Sequence, residues 1–205
     1  QLGDPIIPQS DFVVMANGKT YLSKAFDDRV GVALMIDAYK ELEAEDHPNT
    51  LFAVSTVQEE IGLRGATTSV RAVDPDVAIV LEAEIAGDVP GITDDMTEVK
   101  LGGGPSFLFY DLRTIPNPAF RNWAKEVAKE EGIEFQEASM TGGATDGGAI
   151  HLHNLGVPTI VLSVPTRHIH SHGSIIHRED YDNTVKLLVA LLKRLDADTV
   201  AEFTK

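Results

Sequence analysis

The sequence predicts an α/β protein whose mostly parallel sheet is covered by helices on both faces. Strand-like and helix-like patterns alternate along the chain, which favours this class. The composition, 43% hydrophobic and 24% charged, is that of an ordinary globular protein,. Since 205 residues suit one domain,, the chain can bury a sizeable core, although it has no cysteine for disulfide bonds.

The strands are predicted from short apolar runs bounded by turn residues. Residues 6 to 22 indicate two short strands around a turn at Asn17-Gly18. A buried strand is predicted for "TLFAVSTV", residues 50–57, because nearly every position is apolar or small. The later strands are predicted at 75–83, 105–112, "IEFQEAS" after Gly132, and 157–164.

Helices are predicted from apolar spacing and from residues that begin or end a helix. The first runs from Asp27 or Asp28 to about Leu42, with an aspartate as its cap,. Further helices are predicted at 63–73, 117–132, 145–156 and about 179–195.

The formal net charge of -15 argues against some classes of binding partner. An acidic surface repels phosphate backbones, so we expect neither a nucleic-acid nor a membrane partner. No apolar run approaches the length of a membrane helix,. The absence of cysteine is compatible with a reducing compartment,, and we expect a cytoplasmic protein.

Unusual polar residues follow the predicted strands. Because ligands of such sheets bind outside the carboxyl ends of the strands, we expect these side chains to converge on one rim. They are Glu59 and Glu60 after 50–57, Glu82 at the end of 75–83, Asp146 after the "IEFQEAS" strand, and His170 after 157–164.

Each of these residues also has an ordinary structural interpretation. Locally, Asp27 and Asp28 are better explained as a helix cap and a first-turn charge. The glutamates of "QEEIG" fit a polar loop about as well as a site. Glu82, inside an apolar run, needs a metal or strong hydrogen bonds to be buried,.

The histidines are ambiguous as well. In "RHIHSHGS", extended backbone would place His168, His170 and His172 on one face, as a metal site or an accidental cluster,. His151 and His153 would point apart on a helix, so they are interpreted as surface or core residues. Carboxylates and imidazoles without thiolates favour zinc, cobalt or manganese, and their number favours two ions about 3.5–4 Å apart.

Seven segments occur in a distinctive order along the chain: "GDPIIP", "NGKTYLSKAFDDRVG", "TVQEEIGLRGA", "EIAGDVPG", "LGGGPSF", "GGATDGGAI" and "GVPTIVLSVPTRHIHS". Through them the chain resembles metallopeptidase family 42, which comprises the tetrahedral, glutamyl and deblocking aminopeptidases. The resemblance extends over essentially all 205 residues.

The resemblance implies a role for each candidate residue. Asp27 would bridge two divalent metal ions, and Glu60 would bind one of them. Glu82 would bind the other ion, and His170 would be the remaining histidine ligand of this stretch. Glu59 would be the general base.

The resemblance also implies a three-layer α/β/α, zinc-peptidase-like domain at residues 21–205. Residues 1–20 would be the return from an inserted β-rich domain, and we expect further sequence upstream of Gln1. The family has another histidine ligand, in a His-x-Asp motif, that residues 1–26 do not supply. His168 stands where an aromatic residue is usual, and His172 where proline is common.

Three functions remain open at this point. The first is a dinuclear metalloaminopeptidase acting on short peptides, assembled as a homo-oligomer from dimer to dodecamer. The second is another amide hydrolase on the same scaffold, such as a deacylase or carboxypeptidase. The third is an inactive metal-binding fragment or assembly subunit.

Overall fold

The computed structural model describes residues 1–93 and 96–205. The strands are β1 (Val13–Val14), β2 (Thr20–Ser23), β3 (Ala78–Ile85), β4 (Ser106–Tyr110), β5 (Gln136–Ser139), β6 (Thr159–Arg167) and β7 (Ser174–His177). The helices are α1 (Phe26–Leu42), α2 (Arg64–Val73), α3 (Pro118–Glu130), α4 (Gly147–Ile150), α5 (Arg178–Arg194) and α6 (Ala197–Glu202).

Helix α3 shows how local sequence determines these boundaries. The Asn117 side chain accepts a hydrogen bond from the Phe120 backbone amide at 2.9 Å, and Pro118 occupies the first turn,. Gly132, at a φ of 66°, follows the end of the helix,. The apolar face packs into the core through Phe120, Ala124, Val127 and Ala128.

The seven strands form one sheet in the order β1-β2-β7-β6-β4-β5, with β3 also paired to β6. The β3–β6 and β4–β5 pairs are parallel. The pairs β1–β2, β2–β7, β4–β6 and β6–β7 are antiparallel. The α/β class is therefore confirmed, but the expectation of a mostly parallel sheet is wrong, because β4 and β7 both run against β6.

Helices cover both faces of this sheet, and the side chains of β6 alternate between the two cores. Ile160 and Leu162 belong to a core with α3 and α5. Val161, between them, packs on the opposite face near Ile150 of α4, and α2 packs against α4. The expected arrangement of layers, helix over sheet over helix, is present.

The predicted strand at 50–57 is wrong. The segment contains no strand, and Phe52 and Val57 are 59% and 69% exposed. Among the described residues, no backbone amide from 51 to 56 donates a hydrogen bond to another backbone group. The side-chain pattern is that of a buried strand, but no strand of the described residues lies beside the segment to form a ladder with it,.

Two further outcomes concern the chain as a whole. The helix predicted at 145–156 is a single turn, α4, that ends at Ile150. In the part of the chain that the structure describes, every helix is too short or too polar to cross a bilayer. The assignment of residues 1–20 to the return from an inserted domain stays a prediction.

Candidate metal centre

Asp27 and Asp28 lie where β2 passes into α1. Ala25 has a φ of 52°, and both aspartates have non-helical backbone angles. The expected aspartate cap is half right: Asp28 accepts a hydrogen bond from the Gly31 amide at 3.1 Å. Asp27 instead points its carboxylate toward His170.

Glu60 and His170 lie on two separate turns. Residues 59–63 form a turn in which the amides of Gly62 and Leu63 both donate to the Glu59 carbonyl at 2.9 Å. His170 follows β6 in a second turn, with a φ of 57°. Both turns present side chains at the end of the sheet where β2 enters α1.

Asp27, Glu60 and His170 form a compact cluster. The His170 Nε2 atom lies 3.0 Å from Asp27 Oδ2 and 3.3 Å from Glu60 Oε2. One potential ligand atom of each residue lies within 4.8 Å of the others. Three of the four predicted ligands are thus brought together from three separate chain segments.

Glu59 and Glu82 lie beside this cluster in a strongly electronegative environment. Burial, followed by the charges of Asp146, Glu60 and Asp27, raises the pKa of Glu59 to about 7. Burial raises the pKa of Glu82 well above its usual value. Glu82 is the fourth predicted ligand. It lies next to the cluster, but its oxygens are not among the ligand atoms that lie within 4.8 Å of one another.

Asp28 and Asp146 complete the group of carboxylates. Burial, together with the charges of Asp27, Glu59 and Asp146, raises the pKa of Asp28 to about 8. Burial also raises the pKa of Asp146. Its Oδ2 atom accepts a hydrogen bond from Thr56 Oγ1 at 2.6 Å, whereas its buried Oδ1 has no partner among the described residues.

The donor set fits divalent cations. Six carboxylates (those of Asp27, Asp28, Glu59, Glu60, Glu82 and Asp146) affect one another's ionisation or line one cavity, and His170 is the basic side chain among them. Carboxylate oxygens with an imidazole nitrogen are typical ligands of zinc, cobalt and manganese. A bound cation would offset both the burial and the mutual repulsion that raise these pKa values,.

The remaining histidines do not join the cluster. Residues 168–170 form a turn, with positive φ at His168 and His170, so the expected alternation of three imidazoles on extended backbone is wrong. His151 Nδ1 lies 2.6 Å from the Gly147 carbonyl. His153 Nε2 lies 2.9 Å from Asp74 Oδ1, so the interpretation of His151 and His153 as residues with other partners fits the structure.

From the local sequence, Asp28 is predicted only to cap or charge the start of a helix,. Its signal was the "DD" pair itself, but the local pattern equally fits a capping residue. Asp146 was expected on the rim. One of its oxygens accepts a hydrogen bond from Thr56, 90 positions away along the chain, and the other is buried without a partner among the described residues.

Comparisons of the whole chain with known proteins identify its family. The family model of the M42 glutamyl aminopeptidases matches residues 1–187. The chain belongs to this family. It is 36% identical over 200 residues to the glutamyl aminopeptidase of Lactococcus lactis, covering 98% of this chain and 55% of that protein.

Solved structures in the M42 family share the fold. The TET aminopeptidase of a marine-sediment Thaumarchaeota archaeon is 45% identical, with a TM-score of 0.93 over 96% of this chain and 55% of that one. The Desulfurococcus kamchatkensis aminopeptidase is 33% identical, with a TM-score of 0.90 over 95% of this chain and 54% of that one. The chain therefore spans about half the length of the relatives it matches.

Proposed function

We propose that this chain forms the metal-binding catalytic part of an aminopeptidase that removes N-terminal residues from short peptides. The observation that carries the proposal is the cluster of Asp27, Glu60 and His170, with their ligand atoms within 4.8 Å, in a member of a peptidase family. Relatives named glutamyl and lysyl aminopeptidase support this activity over a deacylase or carboxypeptidase.

Four side chains would hold two divalent ions, of zinc, cobalt or manganese. Asp27 would bridge them, Glu60 and Glu82 would each bind one, and His170 would complete the set. When bound, such ions supply Lewis acidity at the scissile carbonyl and lower the pKa of water.

Glu59 is proposed as the general base. Its carboxylate takes a proton from the attacking water as the water oxygen bonds to the carbonyl carbon of the substrate. When the carbon–nitrogen bond breaks, the same carboxyl group passes that proton to the leaving amine. Burial, the largest cause of the raised pKa of Glu59, remains when ions are bound and favours a carboxyl group that can both accept and donate a proton,.

The remaining acidic groups would receive the positively charged amino terminus of the substrate. Asp146 offers a buried oxygen without a hydrogen-bond partner among the described residues. Binding an ammonium group there would satisfy that oxygen and select peptides with a free amino terminus.

The proposed setting is a cytoplasmic homo-oligomer. A solved relative supports assembly: the TET1 peptidase of Pyrococcus horikoshii can assemble into a tetrahedron or a large octahedral shell.

The test compares free and acetylated substrates. We expect metal-dependent hydrolysis of aminoacyl p-nitroanilides, loss of activity with a chelator, and recovery on adding zinc, cobalt or manganese. The N-acetylated anilides are the matched control and should not react. Equal rates on both substrates would contradict an aminopeptidase, and turnover unaffected by the chelator would contradict the metal site.

A further inference from the structure

His170 lies in the loop that joins β6 to β7. The two strands form an antiparallel hairpin in which Arg167 is paired with Ile175, and residues 168–173 connect them. The side chain of His170 is 66% exposed, so little packing holds its imidazole in place. The position of the imidazole at the candidate metal centre is therefore set by the backbone of the loop.

This loop combines hydroxyl hydrogen bonds with a strained backbone. The Ser171 hydroxyl lies 2.5 Å from the His168 carbonyl oxygen and 2.8 Å from that of Gly173, and its single proton satisfies one of them at a time,. His168 and His170 have φ angles of 59° and 57°, at which a β-carbon is crowded by the neighbouring carbonyl. Such a conformation persists only where the surrounding structure enforces it.

Arg167 is the residue at which β6 passes into the loop. The backbone ladder between β3 and β6 ends one residue earlier, at Ile85 and Thr166, and the Ala86 amide then donates to the Thr166 carbonyl at 3.1 Å. Beyond this point a side chain continues the connection. Arg167 Nε donates to Asp88 Oδ1 at 2.8 Å, and Nη2 donates to Oδ2. Two parallel bonds of this kind fix the orientation of both groups.

Asp88 is itself anchored to the sheet. Its Oδ2 atom also accepts a hydrogen bond from the Leu101 amide at 3.2 Å. The preceding residue, Gly87, donates its amide to the Val99 carbonyl at 2.7 Å, and Val99 is buried in the same core cluster as residues of β3, β4 and β6. The hydrogen bond from Arg167 lowers the pKa of Asp88, so the carboxylate stays charged near neutral pH.

We propose that Asp88 and Arg167 are positioning residues for His170. Their ion pair holds the β6 end of the loop against the segment that follows β3, and so keeps the imidazole at the metal centre. Neither side chain belongs to the cluster of potential ligand atoms, so the pair acts through the loop alone. This role depends on the proposed function, in which His170 binds a divalent ion.

A second arginine–aspartate pair provides a matched control. Arg178 Nε lies 2.7 and 2.6 Å from the two carboxylate oxygens of Asp182, one turn along α5. Arg178 follows β7 where His177 is paired with Thr20, the first residue of β2, whereas Asp27 lies beyond the last residue of β2. The control pair is therefore at the end of β2 remote from the metal centre.

The first measurement is the zinc affinity of the chain, by competition with a chelating dye. Arg167→Lys keeps the positive charge but loses the planar pair of donors, so we expect affinity to fall about tenfold, as when other residues that orient metal ligands are changed. Arg178→Lys should stay within about twofold of the unchanged protein. Asp88→Asn should match Arg167→Lys, and it gives an independent reading if circular dichroism shows that Arg167→Lys is unfolded.

The second measurement asks whether the pair acts through His170. His170→Ala lowers zinc affinity by itself, and the remaining carboxylates keep binding measurable. Without the imidazole the pair has nothing to orient, so adding Arg167→Lys should lower affinity by less than about twofold further. A merely structural role predicts the same loss whether or not the imidazole is present.

Three results would overturn the proposal. The first is unaltered zinc affinity in both Arg167→Lys and Asp88→Asn, and the second is an undiminished loss in the His170→Ala background. The third is an equal loss in Arg178→Lys, because it would show that any exposed pair has this effect. If the unchanged chain bound no zinc at all, the proposed function itself would fail, and the positioning role would fail with it.

Discussion

Two groups of carboxylates in this molecule differ in what surrounds them. Asp111 and Asp180 are buried and surrounded by donors: Asp111 accepts from Arg113, Thr114 and Thr145. Asp180 accepts from the Gly102 and Gly104 amides at 2.7 and 2.8 Å.

Within the described part of the chain, Glu59 and Glu82 of the candidate metal centre lack such hydrogen-bond donors. No described residue donates a hydrogen bond to the side chain of Glu59 or Glu82, and their neighbours are other carboxylates. Buried acidic groups need either donors or a cation. The hydrogen bonds of the first group therefore stabilise the fold, and the second group is the one proposed to bind ions and transfer a proton.

The largest expected effect comes from Glu59→Gln. This change keeps the size of the side chain but removes the proton acceptor, so kcat should fall about 10³-fold. Metal affinity, measured by calorimetry, should stay within about threefold of the unchanged protein. The control is Glu43→Gln, which alters an exposed glutamate; a Glu59→Gln enzyme with full kcat would remove Glu59 from the mechanism.

Asp27→Asn tests whether the second group is built for cations. The amide loses the negative charge that would be shared between ions, so zinc affinity should fall at least about 100-fold in a competition titration with a chelating dye. Asp180→Asn is the matched change in the first group and should leave zinc affinity unaltered. Similar losses in both variants would erase the distinction between the groups.

Asp180→Ala tests the structural role of the first group. The Gly102 and Gly104 amides would lose their acceptor, and the free energy of unfolding should fall by about 2 kcal/mol in urea denaturation. Zinc affinity per folded molecule should not change. Unaltered stability would mean that these hydrogen bonds contribute little beyond what water supplies.

The smallest expected effect is a pH dependence of the metal-free protein. Folding raises the pKa of Glu59 to about 7 and that of Asp28 to about 8, above the unfolded values near 4. An acid whose pKa is raised by folding destabilises the native state once it ionises, so stability is lost as pH rises from about 4 to about 8.

We expect the melting temperature to fall by about 3 °C over the upper part of this range, from pH 6 to pH 8. Saturating zinc should abolish most of that fall, since the ion compensates the charges. The double variant Asp28→Asn, Glu59→Gln should show a flatter profile without metal. A profile identical to that of the unchanged protein would assign the pH effect to other groups.

The sequence predicted the elements whose determinants are local. The helix predicted at 117–132 is α3, because its cap, its apolar spacing and its terminal glycine all lie within the helix or next to it. The apolar run from residue 157 corresponds to β6, the most buried strand. The convergence of Glu60 and His170 was expected from a general rule about the ends of strands, whereas Asp27 was assigned to the site only by the family resemblance.

Features that depend on distant partners could not be predicted in this way. Composition does not encode the direction in which β4 pairs with β6, so the mixed sheet was missed. Residues 50–57 carry the side chains of a strand, but a strand also requires a neighbour. Asp28 was interpreted from its local cap, because its pKa depends on carboxylates that only the fold brings near.

Strand β3 carries Glu82, and within the described residues it forms a ladder only with β6. An ion that fixed Glu82 would also restrict the backbone of β3, so part of its binding free energy would be spent on ordering the strand. By thermodynamic reciprocity, a change that stiffens β3 would raise ion affinity by the same factor by which the ion favours the stiffened strand.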